Sequence, residues 1–147
     1  MNSPLFWFVA GEESGDARAV EVMKAMRLAC PEVRFSGAGG ANMKSLCGDG
    51  FDAWANKAAV TGLWDVLKNY GYFRQKFRAM FAAILRERPD AVVLVDYPGF
   101  NLRLAKALRH AGYGGKILYY ISPQVWAWNR GRIPKMARLL DLMICVF

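Results

Sequence analysis

Cysteine is scarce and scattered in this chain. Cys30, Cys47 and Cys145 stand far apart with no CxxC pair, which argues against a zinc knuckle and a disulfide framework and suits a reducing compartment. Long apolar runs are missing too. The stretch Leu5 to Ala10 is too short for a signal-peptide core and follows no positive charge other than the amino terminus. No other run approaches the roughly 20 residues that cross a bilayer. Repeats, low-complexity tracts and linkers are absent, so the 147 residues read as one domain. The single histidine, His110, lies in a basic helical stretch with Lys106 and Arg109 and reads as solvated surface. Negative charge is the minority sign. Against 20 Lys and Arg stand 12 Asp and Glu, and the net charge of +8 favours anionic partners: nucleic acid, phosphorylated metabolites or an acidic membrane face.

What is present is ample apolar material, 54% of residues, enough to bury a core without staples. Short β-rich runs alternate with longer segments of helical period, the pattern of an α/β fold with parallel strands covered by helices. The expected strands are Leu5 to Ala10, Arg34 to Ala38, a short one near Phe51 to Trp54, Ala91 to Val95, Lys116 to Ile121, and Leu142 to Phe147. Ala17 to Ala29 and Tyr72 to Arg88 read as covering helices, and a third runs through Leu102 and Leu108. The unbroken run AVVLV predicts a central strand buried on both faces. The final LMICVF still reads as strand where the sequence stops, so a longer natural polypeptide is expected.

In parallel sheets ligands sit beyond the carboxyl ends of the strands, so the loops there carry the search. The first is Gly11-Glu-Glu-Ser-Gly-Asp16, which opens a helix where backbone N–H groups favour an anion. It lacks the Gly-Lys-Ser/Thr ending of a P-loop, the GxGxxG spacing of a dinucleotide site and the GxSxG frame of a nucleophile elbow. On its own it reads first as a strand-to-helix turn in which Gly11 and Gly15 relieve steric strain and Asp16 caps the helix. The second, Phe35-Ser-Gly-Ala-Gly-Gly40, allows close approach of a ligand or of another backbone. In the third, Val95-Asp-Tyr-Pro-Gly-Phe-Asn101, Asp96 ends the most apolar strand, poised to take a proton from a substrate hydroxyl. Capping of the following helix by Asp96 or Asn101 is the competing reading, and the residues alone leave both open.

Further along, Ser122, Trp126 and Trp128 leave a strand and are followed by Arg130, Arg132 and Lys135, a stacking surface beside phosphate-pairing groups or simply core and solvated charge. The segment Val60 to Arg74 and on to Arg78 mixes Leu63, Trp64, Leu67, Tyr70 and Phe73 with cations, which suits a membrane interface or an ordinary helix pair.

AGEESGD, GAGG followed by Met43, AVTGLWDVL, VDYPGFN and SPQVWAWNRGRIPK occur here in one order, and in that combination the chain resembles the lipid-A-disaccharide synthase family from Phe8 to its end. The resemblance implies the N-terminal, acceptor-side Rossmann-like domain of a GT-B glycosyltransferase that uses no metal and no cofactor. The family's C-terminal half, which supplies most contacts to uridine diphosphate, is not in this chain. The implied reaction moves diacylglucosamine from its UDP donor to the 6-hydroxyl of diacylglucosamine 1-phosphate, with inversion and release of UDP.

By the same resemblance Asp96 is the catalytic base, and Glu13, Ser14, Gly15 and Asp16 lie near the acceptor. Gly39, Gly40, Asn101, Ser122 and Trp126 join them as substrate-binding candidates, and Arg130 and Arg132 as partners of the acceptor phosphate. Leu63, Trp64, Leu67, Tyr70 and Phe73 become a patch facing the cytoplasmic side of the bacterial inner membrane. Self-association stays open. The rival readings are another UDP-sugar or nucleotide-binding enzyme of this two-domain class and a basic module that binds nucleic acid. Nucleic acid is the poorer partner, since the charge forms no arm or recognition helix.

Overall fold

The computed structural model describes residues 3–48, 50–54, 70–121 and 138–145. Five parallel strands form one sheet: β1 (Leu5–Ala10), β2 (Arg34–Ala38), β3 (Ala91–Val95), β4 (Lys116–Ile121) and β5 (Leu142–Cys145). Their spatial order is β2-β1-β3-β4-β5. The described helices are α1 (Glu13–Ala29), α2 (Ala41–Lys44), α3 (Tyr70–Glu87) and α4 (Pro98–His110). β3 takes the central place and is buried at every position, as its continuous apolar run requires.

Alternation along the strands feeds two cores. Trp7, Val9, Val92, Leu94, Ile117 and Tyr119 point to one face, where Met80 and Ile84 of α3 and Leu104 and Leu108 of α4 meet them. Phe8, Ala10, Val93 and Val95 point to the other, against Ala19 and Met23 of α1. The two-sided cover follows from chain direction. The β1-α1-β2 crossover runs one way along the sheet and the β3-α4-β4 crossover the other, and right-handed crossovers then place their helices on opposite faces. The carboxyl ends of β1 and β3 therefore flank the point where strand order reverses, which in such sheets opens a crevice.

Two details differ from the sequence reading. Phe51 to Trp54 forms no strand; a single parallel bridge joins Asp52 to Ala38, and Trp54 turns into the core, where its Nε1–H donates to the carbonyl of Ala10 at 2.9 Å. The buried indole, satisfied at its one polar atom, outweighs ladder pairing. This segment also protects the sheet edge, since Asp52 N–H donates to Gly37 O and Gly39 N–H to Asp52 O. Secondly, α1 starts at Glu13 rather than Ala17, so the whole Glu13 to Asp16 run is its first turn. No described helix is long and apolar enough to cross a membrane.

Candidate active site

At the reversal point the loop after β1 and the loop after β3 touch. The Tyr97 ring lies so close over Gly11 that a Cβ there would sit 2.6 Å from it, so only glycine fits. Gly15 is buried beneath, where a Cβ would lie 3.5 Å from Ala10 Cβ and 3.8 Å from the carbonyl of Val95. Glu12, Glu13 and Ser14 stand exposed along the rim. Glu12, the N-cap residue of α1, carries no signal in the sequence that sets it apart from its neighbours. Burial, and then the nearby charge of Glu12, push the Tyr97 hydroxyl above its ordinary value of 10.0.

Asp16 faces inward, 3% exposed. Its Oδ1 accepts from the N–H groups of Gly40 and Met43 at 3.0 Å each, and its Oδ2 from Asn42 N–H at 3.2 Å. It therefore caps α2 across space, not its own helix as the sequence suggested. Gly39 and Gly40 are buried with their amides spent on Asp52 and Asp16, so the second glycine loop serves backbone approach within the protein.

Asp96 and Tyr97 both adopt left-handed backbone conformations, with φ of 50° each. For residues with a Cβ this costs on the order of 1 kcal/mol or more apiece. The turn lifts Asp96, half-buried, to the sheet edge, where its carboxylate makes no hydrogen bond or ion pair among the described residues. Asn101 is fully buried and its amide nitrogen donates to the carbonyls of Asp96 at 2.8 Å and Val95 at 3.3 Å. The side chain offered to a ligand by the sequence thus faces the protein.

A cleft of about 690 Å³ opens between α3 and the start of α4, its lining on that side beginning at Tyr97, one residue after Asp96. Phe73, Phe77, Tyr97 and Phe100 supply its apolar walls, and the exposed Arg74, Arg78 and Arg103 surround them. Trp54 backs the cluster, 4.7 Å from Phe100 and 6.0 Å from Tyr97 between ring centroids. Tyr70, 62% exposed, stands at its margin. An amphiphile with an apolar tail and an anionic head matches this lining. The Phe-Arg pair repeated four residues on, Phe73-Arg74 and Phe77-Arg78, is a visible signal for one wall. Nothing in the sequence ties it to Phe100.

Leu63, Trp64, Leu67, Ser122, Trp126, Arg130 and Arg132 lie outside the described residues. Among the described residues no group of three His, Cys, Asp or Glu is placed to hold a metal ion.

Residues 6–147 match the model of the lipid-A-disaccharide synthetase family. The chain belongs to that family. It is 42% identical over 140 residues to the lipid-A-disaccharide synthase of Trichlorobacter lovleyi, covering 94% of this chain and 35% of that protein. With the synthase of Myxococcus xanthus the identity is 40% over 147 residues, 99% of this chain and 37% of the relative. The Coxiella burnetii synthase is 36% identical over 149 residues, spanning 100% of this chain and 38% of its own length. This member of the lipid-A-disaccharide synthetase family thus spans little more than a third of the curated relatives it matches.

Proposed function

We propose that the chain is the acceptor-side portion of a glycosyltransferase of lipid A assembly, in which diacylglucosamine passes from its UDP donor to the 6-hydroxyl of diacylglucosamine 1-phosphate. The observation that carries this reading is the succession of Asp96, whose carboxylate has no partner among the described residues, by Tyr97, Pro98, Gly99 and Phe100, which line the arginine-rimmed apolar cleft. Asp96 takes the proton of the attacking hydroxyl, a single displacement inverts the anomeric centre, and UDP leaves. An acyl chain lies along Phe73, Phe77 and Phe100, and Arg74, Arg78 and Arg103 attract the phosphate of the acceptor. Glu13 and Ser14 line the opposite rim, with Gly15 and Asp16 fixing that rim in place.

The donor's uridine diphosphate is held mainly by the C-terminal half of the full-length enzyme. The exposed Tyr70, at the margin of the cleft, faces the cytoplasmic leaflet of the inner membrane, and the acyl chains enter past it to Phe73. The test is Asp96→Asn in the full-length enzyme. The amide keeps the shape and cannot take the proton, so turnover should fall about a hundredfold to ten-thousandfold with the fold intact. Turnover within a few-fold of the parent removes Asp96 from the reaction.

A further inference from the structure

We infer that Tyr119 is a positioning residue for Asp96, acting with Asn101 as a clamp on the left-handed turn that aims the carboxylate over the crevice; this rests on the reading of Asp96 as the base. Three residues from two elements, β4 and α4, hold the backbone of Asp96. The Tyr119 hydroxyl, carried by β4, donates to the carbonyl of Asp96 at 2.8 Å. Asn101 Nδ2, from the first turns of α4, donates to the same oxygen at 2.8 Å and to Val95 O at 3.3 Å. The Asp96 N–H in turn donates to Tyr120 O at 2.8 Å, which extends the β3–β4 ladder one residue past its end.

Both donors are 0% exposed, so water does not replace them when one is lost. The orientation of the Asn101 amide is fixed by chemistry, since two carbonyl oxygens face the atom assigned as nitrogen. That leaves its Oδ1 buried without a partner among the described residues, an arrangement in which the nitrogen's two bonds outweigh the orphaned oxygen.

The clamp answers a specific need. Asp96 and Tyr97 each sit at φ 50°, a conformation that a residue with a Cβ leaves readily unless its surroundings hold it. If the Asp96 carbonyl is released, the peptide rotates toward an ordinary conformation and carries the attached side chain with it. A general base works with its oxygen within about 2.6–3.2 Å of the atom that gives up the proton, or through one bridging water. A misplacement of about 1 Å can cost on the order of a hundredfold in rate. The hydroxyl of Tyr119 therefore acts on the reaction through the direction of a neighbour, without touching substrate.

The discriminating experiment is a double-mutant cycle in the full-length enzyme, read by UDP release and by thermal unfolding. Tyr119→Phe keeps the ring and removes only the hydroxyl. It should lower kcat about tenfold, leave the KM for the acylated acceptor unchanged and keep a cooperative melt. Placed on Asp96→Asn, the same change should cost no further rate, because there is no base left to aim. Equal fold losses in both backgrounds sink the clamp alone and return Tyr119 to general packing. A kcat within twofold of the parent does the same. Near-parent turnover by Asp96→Asn sinks the base assignment instead, and the clamp with it.

Discussion

The carboxylate of Asp16 and the amide of Gly40 are 3.0 Å apart, joining the first turn of α1 to the start of α2 across the end of the sheet. That carboxylate also holds the amides of Asn42 and Met43, three donors that would otherwise be buried or left to water. Asp16→Ala should therefore destabilise the chain by about 1–3 kcal/mol, seen as a lower urea midpoint at unchanged slope. Asp16→Asn, which keeps one acceptor oxygen, should lose less. A midpoint unmoved by the alanine would mean that α2 needs no partner.

The same geometry separates what the sequence disclosed from what it hid. Central placement of β3 was legible because AVVLV is apolar at every position, and Asp96 was legible because a lone carboxylate ends that run. α2 was hidden, since the four residues Ala41–Lys44 are too few to show a helical period. Trp54 looked like strand because β propensity records fit to a pleated surface and says nothing of a core pocket waiting for an indole. Asn101 shows the deeper limit. An asparagine after a strand reads as a ligand group or a cap, and only the left-handed turn before it shows which carbonyls claim its nitrogen. The cleft was hidden because its walls, Phe77 and Phe100, come from segments on either side of β3.

Acid should act through Asp141. The N–H of Ile117 first, and the Arg109 guanidinium after it, hold its carboxyl below the ordinary value of 3.8. A lowered folded-state pKa stabilises above the unfolded value and loses that contribution as pH falls through the folded one. Asp141→Asn should thus melt lower than the parent at pH 7, with the gap narrowing below about pH 4 as the parent's carboxyl protonates. The side chain is 34% exposed, so the gap should be modest and shrink in high salt. A difference in melting temperature constant from pH 7 to pH 2 would refute the electrostatic account.

Cys47 should be chemically silent while the chain is folded. Burial dominates its environment and pushes the thiol up to about 12, with Arg27 pulling weakly the other way and Asp16 adding to the rise. The thiolate is the nucleophile, and at pH 8 almost none forms. Peptide mapping after iodoacetamide treatment at pH 8 should find Cys47 unmodified in the native chain and alkylated in urea. Rapid native labelling would mean that the loop after α2 opens far more often than its hydrogen bonds from Cys47 and Gly48 imply.

On the proposed function, Arg103→Ala in the full-length enzyme should raise the KM for the phosphorylated acceptor several-fold and leave kcat nearly unchanged. Arg103 is exposed at the rim of the cleft, so its removal costs ground-state attraction to the phosphate and little packing. Phe77→Ser strikes the wall instead. It should weaken acylated acceptor more than an analogue without acyl chains, measured side by side. Equal effects on both acceptors would take the acyl chain out of this cleft.

The 147 residues alone should not bind UDP tightly, and the reason lies in which charges already occupy the helix ends. A pyrophosphate is best held where free backbone N–H groups at a helix N-terminus meet no competing anion. At this sheet edge α1 begins among Glu12 and Glu13, both exposed, and the amides at the start of α2 are already bound by Asp16. Three carboxylates, Glu12, Glu13 and Asp16, thus stand where a diphosphate would need donors, and bringing like charges together there is unfavourable. The Arg74, Arg78 and Arg103 rim lies beside an apolar cleft, suited to a lipid phosphate and not to a nucleotide. Calorimetric titration of UDP into the isolated chain should give no saturable heat at micromolar concentrations. Charge reversal at the rim, Glu12→Lys with Glu13→Lys, should be the change that creates measurable affinity. Micromolar UDP binding by the unaltered chain would place a donor subsite on these residues and overturn the proposed division of labour.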